Sequence, residues 1–390
     1  MSISRPTNVN IQHTLLTAIC ACILAGILVA GLLPFHAPRN AISWRQSGNG
    51  LFFGKHGSVV SAGSFGSGGP TADGSCSLEV WLEPRRVRSS GTILAFYWPA
   101  KEVTPFALRQ SVSDLKLDRG SQDRESRRTK IYVDDVFARL KPIFFTISAG
   151  ATGTAIYADG VLVKKSTSFG LSSQDLTGQF IVGNAPSTTD SWSGTVKGIA
   201  IYGRELTPSE VKQHFADWTT RKQPEAATST GLMARYLFDE GEGKVVHNQV
   251  DSVTDLVIPE RFFVLHEEFL ERPWDEFRND WGYWQDVAIN IGGFIPLGFF
   301  FCAYFSAVWK VKRAIWLTIV LGFAVSLTIE VLQSFLPTRD SGMTDLINNT
   351  LGTVLGAILC IWTIKHQWLD EQVRRLRIAT NFPLLSSDDE

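Results

Sequence analysis

Four stretches of the chain are almost free of charged residues, and each is close to the length of a membrane-spanning helix. Crossing about 30 Å of hydrocarbon takes roughly 20 mainly apolar residues in a helix. The third stretch reaches this length only if it includes one carboxylate, Glu330, near its end. The pattern predicts four transmembrane helices, at residues 14–35, 286–309, 312–336 and 345–364.

The first stretch also resembles a signal peptide, but its apolar part exceeds the ~7–15 residues usual for one. No clear small-residue cleavage site follows it before Arg39. We therefore expect an uncleaved membrane anchor.

Residues 42–258 follow a different pattern, in which short runs alternate apolar and polar positions between Gly, Ser, Asp and Asn turns. In Ser77-Leu-Glu-Val-Trp-Leu-Glu83 the apolar residues Leu78, Val80 and Leu82 fall on one face. Asp159-Gly160 between two such runs is a strong hairpin signal. Many strands without interleaved helices predict an antiparallel β-sandwich.

The same region predicts one helix and two long loops. Thr207-Pro-Ser-Glu210 is a capping box with proline at the first helical position, which opens a helix. Gly57–Ser75 and Arg109–Lys130 are polar and poor in apolar residues, so we expect loops there.

Composition refines this picture of a multidomain protein that combines a membrane α-helical part with an all-β part. The 390 residues carry 37 Lys and Arg against 38 Asp and Glu, a net charge of −1. This balance argues against nucleic-acid binding, which usually needs a basic excess. Only Cys76 lies in the predicted sandwich, so that domain has no internal disulfide and depends on its apolar core.

Short-loop lysines and arginines set the expected orientation, because they stay on the cytoplasmic side. Residues 310–313 and 365–377 are basic, whereas the juxtamembrane segment 259–285 is acidic. We expect both termini, residues 1–13 and 365–390, in the cytoplasm and the sandwich in the periplasm or outside the cell. Residues 365–390 are expected to form a basic helix and tail at the inner membrane surface.

Four segments resemble, in order, the laminin-G-like, concanavalin A-like jelly roll: Asn49–Gly54, SLEVWLEP, Ile156–Gly160 and Gly194–Glu210. The resemblance implies a module that binds glycans or proteins, in some members through calcium. Ala234–Gly243 looks like the family's opening strand, yet it follows the closing helix. We expect it to fold back as a circularly permuted first strand.

The membrane part closely resembles the VanZ family. Its motifs N-x-x-x-F-I-P-L-G, E-x-x-Q, an outer-loop arginine and D-x-x-x-N-x-x-G match Asn290–Gly298, Glu330–Gln333, Arg339 and Asp345–Gly352. The match covers residues 14–35 and 285–364, so the sandwich is an insertion into the first outer loop. The resemblance implies an envelope protein that affects susceptibility to glycopeptide antibiotics, or that handles surface glycans or their lipid carriers.

The polar residues of the predicted spans share faces and depth. Asp286 and Asn290 are four residues apart, as are Asp345 and Asn349, so each pair lies on one helical face. Gly293 and Gly352 each follow three residues later and are expected to let a neighbouring helix approach closely. All these groups fall at the outer end of the bundle. The candidate ligand-binding residues are Asp286, Asn290, Glu330, Gln333, Arg339, Asp340, Asp345 and Asn349.

Structural roles compete with ligand binding at each position. Asp286 and Asp345 could be helix N-caps, and Asn290 and Asn349 could join helices by hydrogen bonds. We expect Glu330 to pair with Arg339 or to be partly protonated, because an unpaired charge inside a membrane is costly.

Three functions remain open from the sequence. The first, which we favour, is a VanZ-like envelope protein whose bundle binds an amphiphilic, phosphate- or sugar-bearing ligand, either a membrane lipid or a lipid-linked glycan. Its sandwich would then recognise an envelope saccharide or protein.

The second is an intramembrane enzyme in which Glu330, Asp286 and Asp345 act as acid and base on a lipid-linked glycan while Arg339 clamps phosphate. Because no nucleophile–base pair or metal-ligand spacing stands out, we expect no metal and no cofactor. The third is an adhesive or glycan-binding module on a helical anchor, which would not need charges inside its spans.

Overall fold

A computed structural model describes residues 7–46, 48–66, 74–120, 129–187, 189–220, 230–267, 269–277, 281–339 and 341–380, with their side chains apart from 7–13, 275 and 368–380. The chain forms two compact units. Residues 37–267 form the sandwich unit, and residues 1–36 with 268–390 form the helical unit.

The helices of both units are α1 (Thr7–Leu32), α2 (Pro208–Thr220), α3 (Pro273–Glu276), α4 (Trp281–Ser306), α5 (Val311–Gln333) and α6 (Met343–Thr380). The strands are β1 (Ile42–Trp44), β2 (Leu51–Phe53), β3 (Val59–Phe65), β4 (Cys76–Pro84), β5 (Ser89–Trp98), β6 (Val103–Val112), β7 (Asp114–Arg119), β8 (Thr129–Val133), β9 (Ile143–Gly150), β10 (Gly153–Ala158), β11 (Val161–Ser166), β12 (Gly178–Val182), β13 (Gly194–Tyr202), β14 (Leu232–Tyr236), β15 (Val245–Val246) and β16 (Leu256–Val257).

The sandwich unit is built from two antiparallel sheets. The first follows the order β1-β2-β13-β4-β9-β10-β11, with β14 also on β13, and the second follows β15-β16-β3-β12-β5-β6-β7-β8. Their inner faces fully bury large side chains such as Phe53, Phe145, Phe180 and Trp192. Two sheets packed face to face around one apolar core are the predicted β-sandwich.

The strand that follows the closing helix returns to this sandwich. β14 pairs with β13, placing Tyr236 opposite Ile199, while β2 takes the other part of the same edge. The segment that resembles an opening strand therefore completes the first sheet. The chain also enters and leaves the sandwich side by side, because Phe262 N donates to Pro38 O at 3.0 Å.

The two polar segments predicted as loops contain strands instead, so that prediction was wrong. The segment 57–75 contains β3, and 109–130 contains the end of β6 and all of β7. In β7, Leu115 and Leu117 are fully buried and alternate with charged residues. Alternation over only six residues is easily hidden by a polar composition, although it is the pattern of a half-buried strand.

Helix α2 covers part of the outer face of the first sheet. Its predicted capping box is present, since Thr207 N donates to Glu210 Oε2 at 2.8 Å and Glu210 N donates to Thr207 Oγ1 at 3.4 Å. The Trp218 ring lies so close to Gly198 that an added Cβ would be 2.2 Å from it. A glycine in β13 thus lets the helix lie directly on the sheet.

Within the described residues, the helical unit contains four helices that are long and apolar enough to cross a membrane: α1 from Thr14, α4, α5, and α6 as far as Gln367. Together they are the predicted four-helix transmembrane bundle. Helix α6 continues without a break to Thr380, so the basic segment after residue 365 extends the fourth span instead of forming a separate helix.

Glycines set the close contact between α4 and α6. An added Cβ on Gly352 would lie 2.2 Å from the Ile291 carbonyl oxygen, and one on Gly298 would lie 2.1 Å from that of Thr353. Gly293, predicted to do the same, has nothing within 4 Å of such a Cβ. The prediction was wrong for Gly293 because it assumed equivalent faces on two helices that meet through different residues.

Candidate functional site

Glu330 lies in the last turn of α5 and is almost fully buried, with 1% of its surface exposed. Its Oε2 accepts a hydrogen bond of 2.9 Å from the backbone N–H of Gly342, directly before α6. The first N–H groups of a helix have no partner inside the helix and carry a partial positive charge. The Glu330 carboxylate therefore satisfies the N-terminus of α6.

Asp345 lies in the first turn of α6, and its negative charge acts on Glu330. Its Oδ1 accepts a hydrogen bond of 2.6 Å from Asn290 Nδ2 of α4. The charged groups that act on Asp345 include Glu276, Asp286 and Arg339. Three helices, α4, α5 and α6, thus bring their polar residues to one end of the helical unit.

Glu276, which the sequence analysis did not select, belongs to this group. It closes the single-turn helix α3, and its Oε2 accepts from Thr344 N at 3.3 Å. The preceding chain is held against the α5–α6 connection, because Glu271 N donates to Ser341 O at 2.9 Å and Met343 N donates to Glu271 O at 3.0 Å. The acidic run before the second span was the available signal for Glu276 in the sequence.

Four carboxylates from four helices therefore gather at one end of the helical unit. We call this group the acid centre. Glu330 is buried, Glu276 and Asp345 are half-buried, and Asp286 is exposed. The acid centre consists of Glu276, Asp286, Glu330 and Asp345.

Two other predicted amides, besides Asn290, also form interhelical hydrogen bonds. Asn349 Nδ2 of α6 donates to Ser326 Oγ of α5 at 3.0 Å, and Gln333 Nε2 of α5 donates to Gly31 O of α1 at 2.8 Å. Both side chains are buried, yet Asn349 Oδ1 and Gln333 Oε1 have no hydrogen-bond partner among the described residues. The same holds for Asn348 Nδ2. Buried polar atoms normally have a partner, so these three are exceptions within the described residues.

Arg339 does not pair with Glu330, so the first of the two alternatives expected for Glu330 is not observed, whereas its partial protonation stays a prediction. Arg339 Nε donates to Leu33 O at 3.1 Å, and Nη2 donates to the same oxygen. Leu33 directly follows α1, whose last carbonyls have no intrahelical partner and attract a cation. Arg339 thus fastens the end of α1 and acts on the acid centre only through its charge on Asp345. The remaining candidate, Asp340, lies outside the described residues.

The N-cap explanation does not hold for either aspartate. Helix α4 begins at Trp281, which places Asp286 in its second turn, and α6 begins at Met343, which makes Asp345 its third residue. The helix dipole still stabilises the negative charge of Asp345, because Asp345 lies in the first turn of α6. Asp286 has no such role, and its exposed carboxylate lies where the acid centre meets the surface.

Chemically, the acid centre offers several hydrogen-bond acceptors and one amide, Asn290, against a single guanidinium. Carboxylates accept bonds from hydroxyl, amine or amide groups and can transfer protons. Within the residues that the structure describes, no group of three His, Cys, Asp or Glu side chains has an arrangement that could hold a metal ion.

Comparisons with known proteins match both parts of the chain. Residues 232–365 match the family described as VanZ/LLP1, and residues 57–212 match the concanavalin A-like lectin/glucanases superfamily. The first match begins inside the sandwich unit and does not include residues 14–35, whereas it contains all the candidate residues. No protein of curated function matches the chain.

Several solved structures match part of the chain at low identity and low TM-score. A proposed carbohydrate-binding protein of Bacteroides ovatus matches at 13% identity and TM-score 0.38, over 56% of this chain and 61% of its own. A heptameric SAP-like pentraxin of Limulus polyphemus matches at 14% and 0.31, over 45% and 78%. The CBM40 of a Ruminococcus gnavus IT-sialidase, bound to α2,3-sialyllactose, matches at 9% and 0.31, over 37% and 84%. The chain spans less than two thirds of the length of the first of these proteins.

The chain is thus a membrane protein that combines a VanZ-like helical domain with an inserted laminin-G-like, concanavalin A-like sandwich.

Proposed function

We propose that this chain is an envelope membrane protein whose helical unit binds the head group of an amphiphile, a membrane lipid or a lipid-linked glycan, while its sandwich recognises an envelope saccharide or protein. The acid centre is the observation that carries the first part of this proposal. It combines buried Glu330 and half-buried Asp345 with exposed Asp286.

The cost of this arrangement supports a binding role. A charged side chain in the hydrocarbon region costs at least about 2.5–3.5 kcal/mol on insertion scales. A helical anchor that only displays the sandwich has no need for such residues on several helices. The polar atoms of Gln333, Asn348 and Asn349 that have no partner among the described residues also support a binding role, because a ligand head group could form hydrogen bonds with them.

The charges favour a particular kind of head group. Arg339 is engaged with the Leu33 carbonyl, so the acid centre has more carboxylates than nearby cations. Negative charge disfavours a bare phosphate and favours donors such as sugar hydroxyls, each of which can give a hydrogen bond to a carboxylate. We therefore place the sugar of a glycolipid, with its phosphate nearer Arg339, in the proposed complex.

The proposed topology puts the acid centre on the outer side of the cytoplasmic membrane, with both termini in the cytoplasm. The basic residues 310–313 and 365–377 support this orientation through the positive-inside rule. The sandwich would then be periplasmic or extracellular, where envelope saccharides occur. Cysteine labelling from outside intact cells tests this: a cysteine at Gly241 should react and one at Lys312 should not.

Native mass spectrometry of the full-length protein in lipid nanodiscs tests the binding proposal. We expect wild type to retain a defined glycolipid and Glu330→Gln to retain at least tenfold less of it. Thr328→Val is the matched control, because Thr328 lies on the same helix with an exposed side chain that bonds only to its own helix, at Ala324 O. Equal retention by Glu330→Gln and wild type would contradict a ligand at the acid centre.

One observation favours catalysis as a second candidate. Glu330 and Asp345 are electrostatically coupled, and such a carboxylate pair can separate into an acid and a base. Incubating the retained glycolipid with wild type and with Asp345→Asn distinguishes the two functions. Release of free sugar by wild type alone would indicate an enzyme, whereas an unchanged glycolipid in both samples would indicate binding.

The VanZ-like domain further suggests a role in glycopeptide susceptibility. Growth of cells expressing wild type or Glu330→Gln in a glycopeptide antibiotic tests this role separately. If wild type raises tolerance and Glu330→Gln does not, the acid centre and the resistance function are linked.

A further inference from the structure

The sandwich unit contains a cleft of about 470 Å³ that the acid centre does not involve. Its floor is a row of Cα partners across four strands: Ser43 on β1, Phe52 on β2, Thr195 on β13 and Glu83 on β4. The neighbouring residues of these strands, such as Val196, are buried in the core. Because side chains alternate along a strand, the row points away from the core, onto the outer face of the first sheet.

The cleft lies on the part of this face that α2 leaves uncovered. The helix packs on β13 at Gly198, three residues along the strand from Thr195. Pro84 and Leu140 complete the apolar part of the cleft wall. A volume of this size falls within the ~300–1,000 Å³ typical of small-ligand sites.

The charges at the cleft are unequal. Glu83 Oε2 is bound by Arg45 Nη1 at 2.9 Å and lies 3.4 Å from Lys197 Nζ, so two cations surround one carboxylate. Arg85 adds a third positive charge, with its guanidinium 5.4 Å from the centre of the Phe52 ring. No carboxylate pairs with Arg85 in the described part of the chain. The residues that line the cleft therefore carry a surplus of one positive charge, with Lys197 beside them.

The mixture of groups indicates the class of ligand. The Phe52 ring and Leu140 offer apolar surface to the C–H face of a sugar ring, and Ser43 and Thr195 offer hydroxyls. The Arg85 guanidinium is a planar fork that suits the paired oxygens of a carboxylate. A neutral sugar would leave this cation without an anionic partner, whereas a uronic acid residue supplies one.

We propose that this cleft is the saccharide site of the sandwich and that it takes a carboxylate-bearing sugar, a uronic acid unit within an envelope glycan. The proposal rests on the proposed saccharide role of the sandwich and assigns that role to specific residues. Arg85 binds the carboxylate, Phe52 supports the sugar ring, and Glu83, held by Arg45 and Lys197, accepts a sugar hydroxyl.

Isothermal titration of the full-length protein in nanodiscs with oligogalacturonate, and with a neutral malto-oligosaccharide of equal length, tests the proposal. We expect binding of the acidic oligosaccharide only, weakened at least tenfold by Arg85→Gln. Arg88→Gln is the matched control: Arg88 is an exposed arginine of the same turn that does not line the cleft, and its removal should change the affinity less than twofold. Unchanged thermal unfolding of both variants would show that they fold.

Each other outcome counts against a definite part of the argument. Equal losses in Arg85→Gln and Arg88→Gln would overturn the cleft and indicate diffuse charge attraction. Binding of the neutral oligosaccharide alone would overturn the anionic ligand while leaving a saccharide role. Binding of neither would overturn the cleft proposal and remove the saccharide part of the proposed function, while glycolipid retention, measured on the same nanodiscs, would report on the acid centre separately.

Discussion

The buried carboxylate under helix α2 gives the sharpest stability prediction. Glu79 of β4 is fully buried, and its Oε1 lies 2.8 Å from His214 Nδ1 of α2. Its Oε2 accepts from Trp218 Nε1 at 3.2 Å and from Tyr202 OH at 3.3 Å. The substitution His214→Ala removes one of two groups that can place a positive charge near this carboxylate and leaves it with two neutral donors and the charge of Arg235.

The magnitude follows from the burial of the pair. Breaking a buried ion pair by removing one partner costs about 3–5 kcal/mol. The His214 side chain is 17% exposed, so water can replace part of the interaction, and we expect about 2–3 kcal/mol. For a unit of this size, ~2–4 °C per kcal/mol gives a fall in Tm of roughly 4–12 °C.

The same contact predicts a pH dependence. Burial lowers the pKa of His214, but the hydrogen bond and negative charge of Glu79, with the charge of Glu210, outweigh both this burial and the repulsion by Arg204, so the pKa is raised. The stabilisation is complete below the unfolded-state pKa of about 6.5 and is lost as the pH rises through the higher folded-state pKa. The gap in Tm between wild type and His214→Ala should therefore shrink between about pH 6 and about pH 9.

Thermal unfolding of the full-length protein, followed by circular dichroism of the β-structure, measures both effects. His247→Ala is the control, since the His247 side chain is 64% exposed and lies 3.4 Å from Glu240. A fall below about 2 °C for His214→Ala near pH 6, or an equal gap at both pH values, would refute the reasoning.

Three further predictions concern packing, capping and interhelical bonding. Gly352→Leu should separate α4 from α6, because its Cβ would lie 2.2 Å from Ile291 O. We expect it to lower the stability of the helical unit by at least about 1–3 kcal/mol. Gly293→Leu is the control, because nothing lies within 4 Å of its Cβ, and it should unfold like wild type in a detergent melting assay. Thr207→Ala should cost about 0.5–2 kcal/mol of sandwich stability in urea unfolding, and Thr219→Ala near the other end of α2 much less. The hydrogen bond from Arg204 brings the pKa of Glu210 to about 2. The contribution of the Glu210 carboxylate to the stability of the sandwich should therefore be complete above the pKa that Glu210 has in the unfolded chain. It should disappear as the pH falls towards 2. Ser326→Ala should cost about 0.6–1.7 kcal/mol by removing the acceptor of Asn349 Nδ2, which unfolding in sodium dodecyl sulfate can measure.

Local patterns in the sequence predicted local structure well. The Asp159-Gly160 hairpin is present with φ of 51° and 77°, as a type I′ turn requires, and the capping box at Thr207 opens α2. These features depend on residues close together in the chain. The strand SLEVWLEP is part of β4, at the centre of the first sheet, where Leu78, Val80 and Leu82 are buried in the core as predicted.

Partners distant in the sequence could not be predicted in the same way. Spacing placed Asp345 on the correct helix face, but it could not show that Glu276 would reach the start of α6. That contact depends on the pairing of Glu271 with the chain around Gly342, which no local pattern encodes. A helix face tells which residues point inward, whereas the identity of the partner depends on how several helix ends meet.

The position of Arg339 shows how one such partner changes the chemistry. Had Arg339 paired with Glu330, the two charges would cancel and the acid centre would have a smaller surplus of carboxylates. Instead, Arg339 satisfies the Leu33 carbonyl and Glu330 satisfies the Gly342 amide, so each charge is stabilised by the end of a different helix. The surplus of carboxylates that results is the physical reason for proposing a hydroxyl-rich head group there. It also means that Arg339→Gln should loosen the end of α1 while Glu330→Gln alters the start of α6, so the two substitutions remove different hydrogen bonds.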